Sequence, residues 1–192
     1  MTGPDQKYAR CFFGQMMEAI RYLHSTGLTP STGLKHRDLK PANLMFSNNF
    51  EIKVVDFGLA TKAGGMVKSN VGTQGYKPNE MYEGVPHMEE AVDVFALGVI
   101  LFNMVTGRPP FATAENRDRQ YRKLLTDPEA YWKSYSKFNL SGDLKLLLEA
   151  MLKKDPSERI TVGEIMEHPW YKNAEQPTQD EVTRYFGRLS QK

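Results

Sequence analysis

A mostly helical body carrying a few short strands is the fold class that this sequence predicts, and three observations predict it. Tyr8, Phe12, Met16, Ile20 and Leu23 recur at helical spacing, which marks a helix with one apolar stripe. The longest apolar run, VFALGVILF at 94–102, sits between Asp93 and Asn103 and reads as a helix buried inside the protein. Alternation of strand and helix is absent along the chain.

The first helix is expected to end at Gly27. Gly, Pro, Ser and Thr make the next stretch, GLTPSTGLK, a loop. NLMF and EIKVV flank Ser47-Asn48-Asn49 and read as a small hairpin. Residues 58–79 show little periodicity and carry five glycines, so a long surface loop is expected there, of a length that usually serves function. From Val92 onward the chain is mostly helical, with the buried helix at 92–106 stopped by Gly107-Arg108-Pro109-Pro110. Amphipathic helices are expected at 116–125 and 142–153. Thr161-Val162-Gly163-Glu164 is a capping box, and Thr178-Gln179-Asp180-Glu181 repeats it at the start of a charged C-terminal helix.

Bulk properties narrow the function classes. The 192 residues suffice for one sizeable domain with its own core. A net charge of +2 is too small to argue for nucleic acid or an anionic membrane. The single cysteine, Cys11, excludes an internal disulfide and, beside Phe12 and Phe13, reads as a buried thiol. No apolar secretory segment opens the sequence and the longest apolar run is short for a membrane span, so a cytoplasmic protein is expected. His24, His87 and His168 are not clustered in sequence with acids or cysteine, which argues against zinc. Tyr131-Trp132 and Trp170-Tyr171 read as packing aromatics.

The chemistry concentrates in GLKHRDLKPANLMF, residues 33–46. Asp38 is placed to accept a hydroxyl proton or to orient an attacking oxygen, and Lys40 to neutralise charge on a transferring phosphate. Asn43 can offer an amide oxygen, and Asp56 at the end of the second strand a carboxylate, to magnesium bridging phosphates.

HRDLKPAN followed by Asp56-Phe57-Gly58 resembles the signature of the eukaryotic protein kinases. Lys40 points to the serine/threonine branch, and the VTGRPPF and DPSERIT wording is most similar to the calcium/calmodulin- and AMP-activated-kinase-like group. The resemblance covers about residues 8–172, leaving 173–192 as a C-terminal extension with a helix. It implies the α+β kinase fold, here the mainly α C-terminal lobe with its hairpin at the catalytic loop, and it implies ATP and Mg2+ as cofactors. Met45 would form part of the adenine floor, and Thr73 in Gly72-Thr73-Gln74-Gly75-Tyr76 would hydrogen-bond Asp38 and Lys40 at the substrate-docking segment. Asp93 would hold the catalytic-loop backbone, Arg159 would pair with Glu80, and His36 and Phe57 would be structural members of their motifs. Arg37 reads either as an ordinary surface arginine or as the residue that grips a phosphate on the activation loop. Ser69 stands where related kinases carry their activating site, although a polar loop serine is common.

Several positions depart from the family pattern. Pro78-Asn79-Glu80 replaces Ala-Pro-Glu, and the loop before His36 is longer than usual. Ala42 and Asn103 replace carboxylates that bind arginine in basic-substrate kinases, which argues against that preference. No G-x-G-x-x-G occurs in the sequence, so the N-terminal lobe, with its phosphate loop and strand lysine, is expected to be absent. The expectation is a kinase catalytic lobe that transfers the ATP γ-phosphate to protein serine or threonine, this chain being inactive by itself. The alternative is a non-catalytic half-kinase acting as a scaffold or partner-binding module. A protein substrate is the implied partner, with a missing lobe or partner chain covering the exposed face and neither nucleic acid nor membrane involved.

Overall fold

The computed structural model describes residues 6–25, 33–62, 66–172 and 177–189. The first helix, α1, runs over Gln6–Ser25, so the expected stop at Gly27 lies outside the described residues. It buries Ala9, Phe13 and Met17 as well as Tyr8, Phe12, Met16 and Ile20, a face wider than one stripe. The reason is that α1 is wedged between several elements rather than lying on one. Cys11 falls at the margin of that face and is half-buried, not buried, though burial still raises its thiol pKa against an opposing hydrogen bond from Gln15.

The hairpin forms as expected. Strands β1 (Leu44–Phe46) and β2 (Ile52–Val54) pair antiparallel, with Leu44 opposite Val54 and Phe46 opposite Ile52. The segment after it is irregular but not wholly so, since Lys35 bridges Thr61 and Val67 bridges His87. A short helix, α2 (Asn79–Glu83), closes it and ends at Gly84 in the left-handed region.

The central helix α3 spans Glu89–Thr106, three residues longer at its start than the apolar run suggested, because Glu89 and Glu90 fit the positive end of the helix dipole. It is the core. Val94, Phe95, Leu97, Val99, Ile100, Leu101 and Phe102 are all buried, and Gly107 at φ 71° terminates it. Around it pack α4 (Arg119–Thr126), α5 (Pro128–Lys133), α6 (Gly142–Met151), α7 (Val162–Glu167) and α8 (Pro169–Lys172). Tyr131, Trp132 and Tyr135 enclose Phe102, with ring centroids at 6.2, 5.9 and 4.9 Å, so these aromatics are packing residues. Trp170 likewise lies edge-on to Phe13.

Helix α4 starts at Arg119 rather than at 116 because Asp118 takes the N-cap, accepting from the amides of Gln120 and Tyr121. Its other carboxylate oxygen accepts from Ala112 and Thr113, so one side chain fixes both the loop and the helix entry. Asp118→Ala should cost about 1–2 kcal/mol, the upper part of the N-cap range. Burial acts to raise the Asp118 pKa, but the four amide hydrogen bonds win and hold it below the usual carboxylate range. Its stabilisation is therefore complete above the unfolded value of about 4 and fades as pH falls through the lower folded value. Denaturant titrations of wild type and variant should accordingly converge in acid and separate at neutral pH.

The second capping device also forms, Thr178 and Glu181 exchanging side-chain and backbone bonds of 2.8 and 3.3 Å. Helix α9 (Gln179–Leu189) does not stand apart from the lobe. Tyr185 stacks on Tyr8 at 4.0 Å, and Phe186 meets Phe12, Phe46 and Phe50 at 5.6, 5.2 and 4.6 Å. Lys7 pairs with Glu181 at 2.8 Å across the same seam. No helix among the described residues is long and apolar enough to cross a membrane.

Candidate active site

The residues of the candidate catalytic loop come together because Asp93, buried on α3, holds the backbone beneath them. Its Oδ2 accepts from the His36 amide at 2.9 Å and its Oδ1 from the Arg37 amide at 2.8 Å. Oδ2 also meets His24 Nε2 at 2.8 Å. His24 therefore lies against an acid that is remote from it in sequence. The two are far apart in the chain and meet only where α1 crosses α3. Gly33 lies close against the end of α1: a Cβ on it would fall 1.7 Å from the His24 carbonyl oxygen, so only glycine fits.

His36 is fully buried and links the loop to β2. Its Nδ1 accepts from the Asp38 amide at 3.3 Å, which leaves Nε2 to carry the proton and donate to Val55 O at 3.0 Å. Phe57 lies against its ring at 5.2 Å. Arg37 and Asp56 both adopt left-handed backbone, φ 65° and 63°, a strain of about 1–2 kcal/mol each that the surrounding bonds hold in place.

Asp38 and its neighbours form a closed polar triangle. Thr73 donates to Asp38 Oδ1 from its amide at 2.7 Å and from its hydroxyl at 2.6 Å. Lys40 Nζ donates to Asp38 Oδ2 at 2.7 Å and to Thr73 Oγ1 at 2.7 Å. Partial burial acts to raise the Asp38 pKa, but Lys40 and Thr73 outweigh it and hold the carboxyl below its ordinary range. Gly72 permits the approach of Thr73: at φ 97° its absent Cβ would lie 2.6 Å from Arg37 O.

Asn43 is buried in the 3-10 turn Pro41–Asn43, where its Nδ2 donates to Asp38 O at 2.9 Å. That leaves its amide oxygen to offer a cation. The Val55 amide donates to Asn43 O at 3.0 Å, so the hairpin register brings Asp56 to the same end of the site as Asn43. Among the described residues no group of three or more His, Cys, Asp or Glu could hold a metal ion. An amide oxygen and a carboxylate fit a hard cation that takes its other ligands from phosphate.

Further from the loop, Glu80 and Arg159 pair through two contacts of 2.7 and 3.1 Å. The departure at Asn79 has a local explanation. With its amide nitrogen turned toward Lys154 O (2.9 Å) and Tyr121 Oη (3.0 Å), its oxygen accepts from the Glu80 amide at 3.2 Å. Asn79 thus anchors the turn by hydrogen bonds. Met45 and Phe46 are 58% and 48% exposed on the hairpin, and Phe57 is 42% exposed. Ser69 is half-buried on the segment between Val67 and Asn70, and Arg37 is already engaged elsewhere.

The protein kinase domain model matches residues 3–171. The chain belongs to the protein kinase family. It is 34% identical over 175 residues to Aurora kinase A-B of Xenopus laevis, covering 90% of this chain and 40% of that protein. It is 35% identical to Sperm motility kinase 2B of Mus musculus, covering 84% and 31%, and 35% identical to CBL-interacting protein kinase 10 of Oryza sativa subsp. japonica, covering 87% and 36%. The chain therefore spans two-fifths or less of the length of these relatives. The fold is accordingly the helical C-terminal lobe, with the two-stranded hairpin as its only sheet among the described residues. Glu89 and His24 are the residues of this site that the sequence did not reveal. Neither falls in a recognisable motif, and only the packing of α3 against the loop exposes them.

Proposed function

We propose that this chain is the catalytic lobe of a serine/threonine protein kinase, one that phosphorylates protein serine or threonine with ATP and magnesium. The observation that carries the reading is the Asp38–Lys40–Thr73 triangle, whose three side chains hold one another at 2.6–2.7 Å. Asp38, kept ionised by its neighbours, accepts the proton of the substrate hydroxyl or orients its oxygen. Lys40 offsets negative charge on the group in transfer, and Thr73 aligns the docking segment beside the carboxylate. Asn43 and Asp56 would hold magnesium, which when bound with nucleotide neutralises phosphate charge. Ala42 and Asn103 give no carboxylate for an upstream arginine, so a basic recognition sequence is not expected. The narrower kinase group and a cytoplasmic location are part of the proposal.

The exposure of the large apolar side chains Met45, Phe46 and Phe57 favours a second reading, in which the lobe serves as a docking module that a partner covers. One set of measurements separates the two. Magnesium alone should bind weakly at Asn43 and Asp56 by NMR, because most of its ligands would come from phosphate. Calorimetry of this chain with magnesium-ATP should give a Kd of about millimolar or weaker, since its sequence carries no glycine-rich loop to offset the cost of binding. Radiolabel transfer should be undetectable for the chain alone and should appear when the small lobe of a relative is added. Micromolar binding by the chain alone would overturn the expected inactivity. A folded chain that stays silent with the added lobe would favour the docking module.

A further inference from the structure

Arg37 precedes the candidate base in strained backbone, and its guanidinium is already engaged by two partners. Nε donates to Leu59 O at 2.6 Å and Nη1 donates to Glu89 Oε1 at 2.7 Å. Both partners are enclosed, with 19% of the Arg37 side chain and 2% of the Glu89 side chain exposed. The two bonds reach in different directions. Leu59 follows Asp56-Phe57-Gly58, whereas Glu89 is the first residue of α3, where the helix dipole favours a carboxylate. Arg37 therefore ties the segment carrying the metal-binding candidate to the helix that holds the catalytic loop through Asp93.

We propose that Glu89 is a positioning residue: its carboxylate is the built-in counter-ion that fixes Arg37 on the Leu59 carbonyl and so sets Asp56 relative to Asp38. The consequence concerns regulation. An anion on the segment after Gly58, such as a phosphate on Ser69, would meet a guanidinium whose charge the enclosed Glu89 carboxylate already offsets, so it would bring a second anion to one cation and gain little there. The Asp38 loop is then ordered by an internal acid and does not depend on phosphorylation of Ser69. This replaces the expectation that Arg37 grips a loop phosphate. It rests on the kinase reading only for what the clamp positions. The geometry of the clamp stands without it.

The test uses neither nucleotide nor transfer, so its outcome is separate from that of the proposed function. In the 15N-labelled chain the Arg37 Nε–H should give a resolved, exchange-protected resonance. Glu89→Gln removes the charge and keeps the shape. It should speed that exchange about tenfold or more, the worth of a charged hydrogen bond, while near-ultraviolet dichroism stays native. A second arm incorporates phosphoserine at position 69 in the otherwise unaltered chain. Its phosphate should titrate by 31P NMR near the ordinary value of about 6, and the Arg37 resonance should not move. Unchanged protection in a folded Glu89→Gln chain would overturn the proposal. So would a phosphate at Ser69 that shifts the Arg37 line and titrates well below about 6. Should Glu89→Gln fail to fold, the phosphoserine arm alone decides.

Discussion

Arg159→Ala is expected to lower the unfolding free energy by about 3–5 kcal/mol, the cost of stranding one partner of a buried ion pair. Arg159 and Glu80 have side-chain exposures of 0% and 1%, so neither can recover water when the other is removed. The guanidinium also donates to Ala91 O at 2.8 Å and to Lys153 O at 2.9 Å, and it lies over the Phe95 ring at 5.0 Å. One truncation thus leaves a buried carboxylate, two carbonyls and a core ring without their partner. For a chain of this size the melting temperature should fall by roughly 10 °C or more. Arg21→Ala is the control, because its pair with Glu18 is exposed and worth about 1 kcal/mol at most. Replacing both members, Glu80→Leu with Arg159→Met, should recover much of the loss, since two apolar groups strand no charge. A single variant that melts like the Arg21 control would mean that the pair does not join α2 to the helical base.

Asp38→Asn is expected to reduce phosphate transfer by about 10²–10⁴-fold in the presence of a complementing small lobe, the range for loss of a positioned general base. Asparagine preserves the outline of the side chain but cannot take a proton at neutral pH. It also leaves Lys40 without its carboxylate partner at 2.7 Å. The loss should appear in the single-turnover rate more than in substrate affinity, because the group acts on the reacting hydroxyl. Folding should survive, since Asp93 and not Asp38 holds the loop backbone. A variant as fast as wild type would remove Asp38 from the mechanism.

The legible part of this protein is the part written in short sequence intervals. Asp38, Lys40 and Asn43 lie within six residues of one another, so their order pointed to the proposed chemistry before any fold was known. Hairpin pairing, the two capping boxes and the apolar α3 are equally local, set by alternation, hydroxyl–carboxylate spacing and a continuous hydrophobic run. Boundaries slipped where a side chain outside the periodic run took over, as Asp118 did for α4 and Glu89 for α3.

What tertiary structure decided is which distant charges meet. The sequence by itself named Asp38, Asn43, Asp56 and Arg159, because motif chemistry depends on residue type and near spacing. It could not reveal that His24 reaches Asp93, that Glu89 occupies Arg37, or that Phe186 of α9 closes on Phe12, Phe46 and Phe50. Those contacts join residues 52 to 174 positions apart, and no local propensity encodes them. They exist only once α3 is buried, since packing brings together the polar groups that burial obliges to find partners.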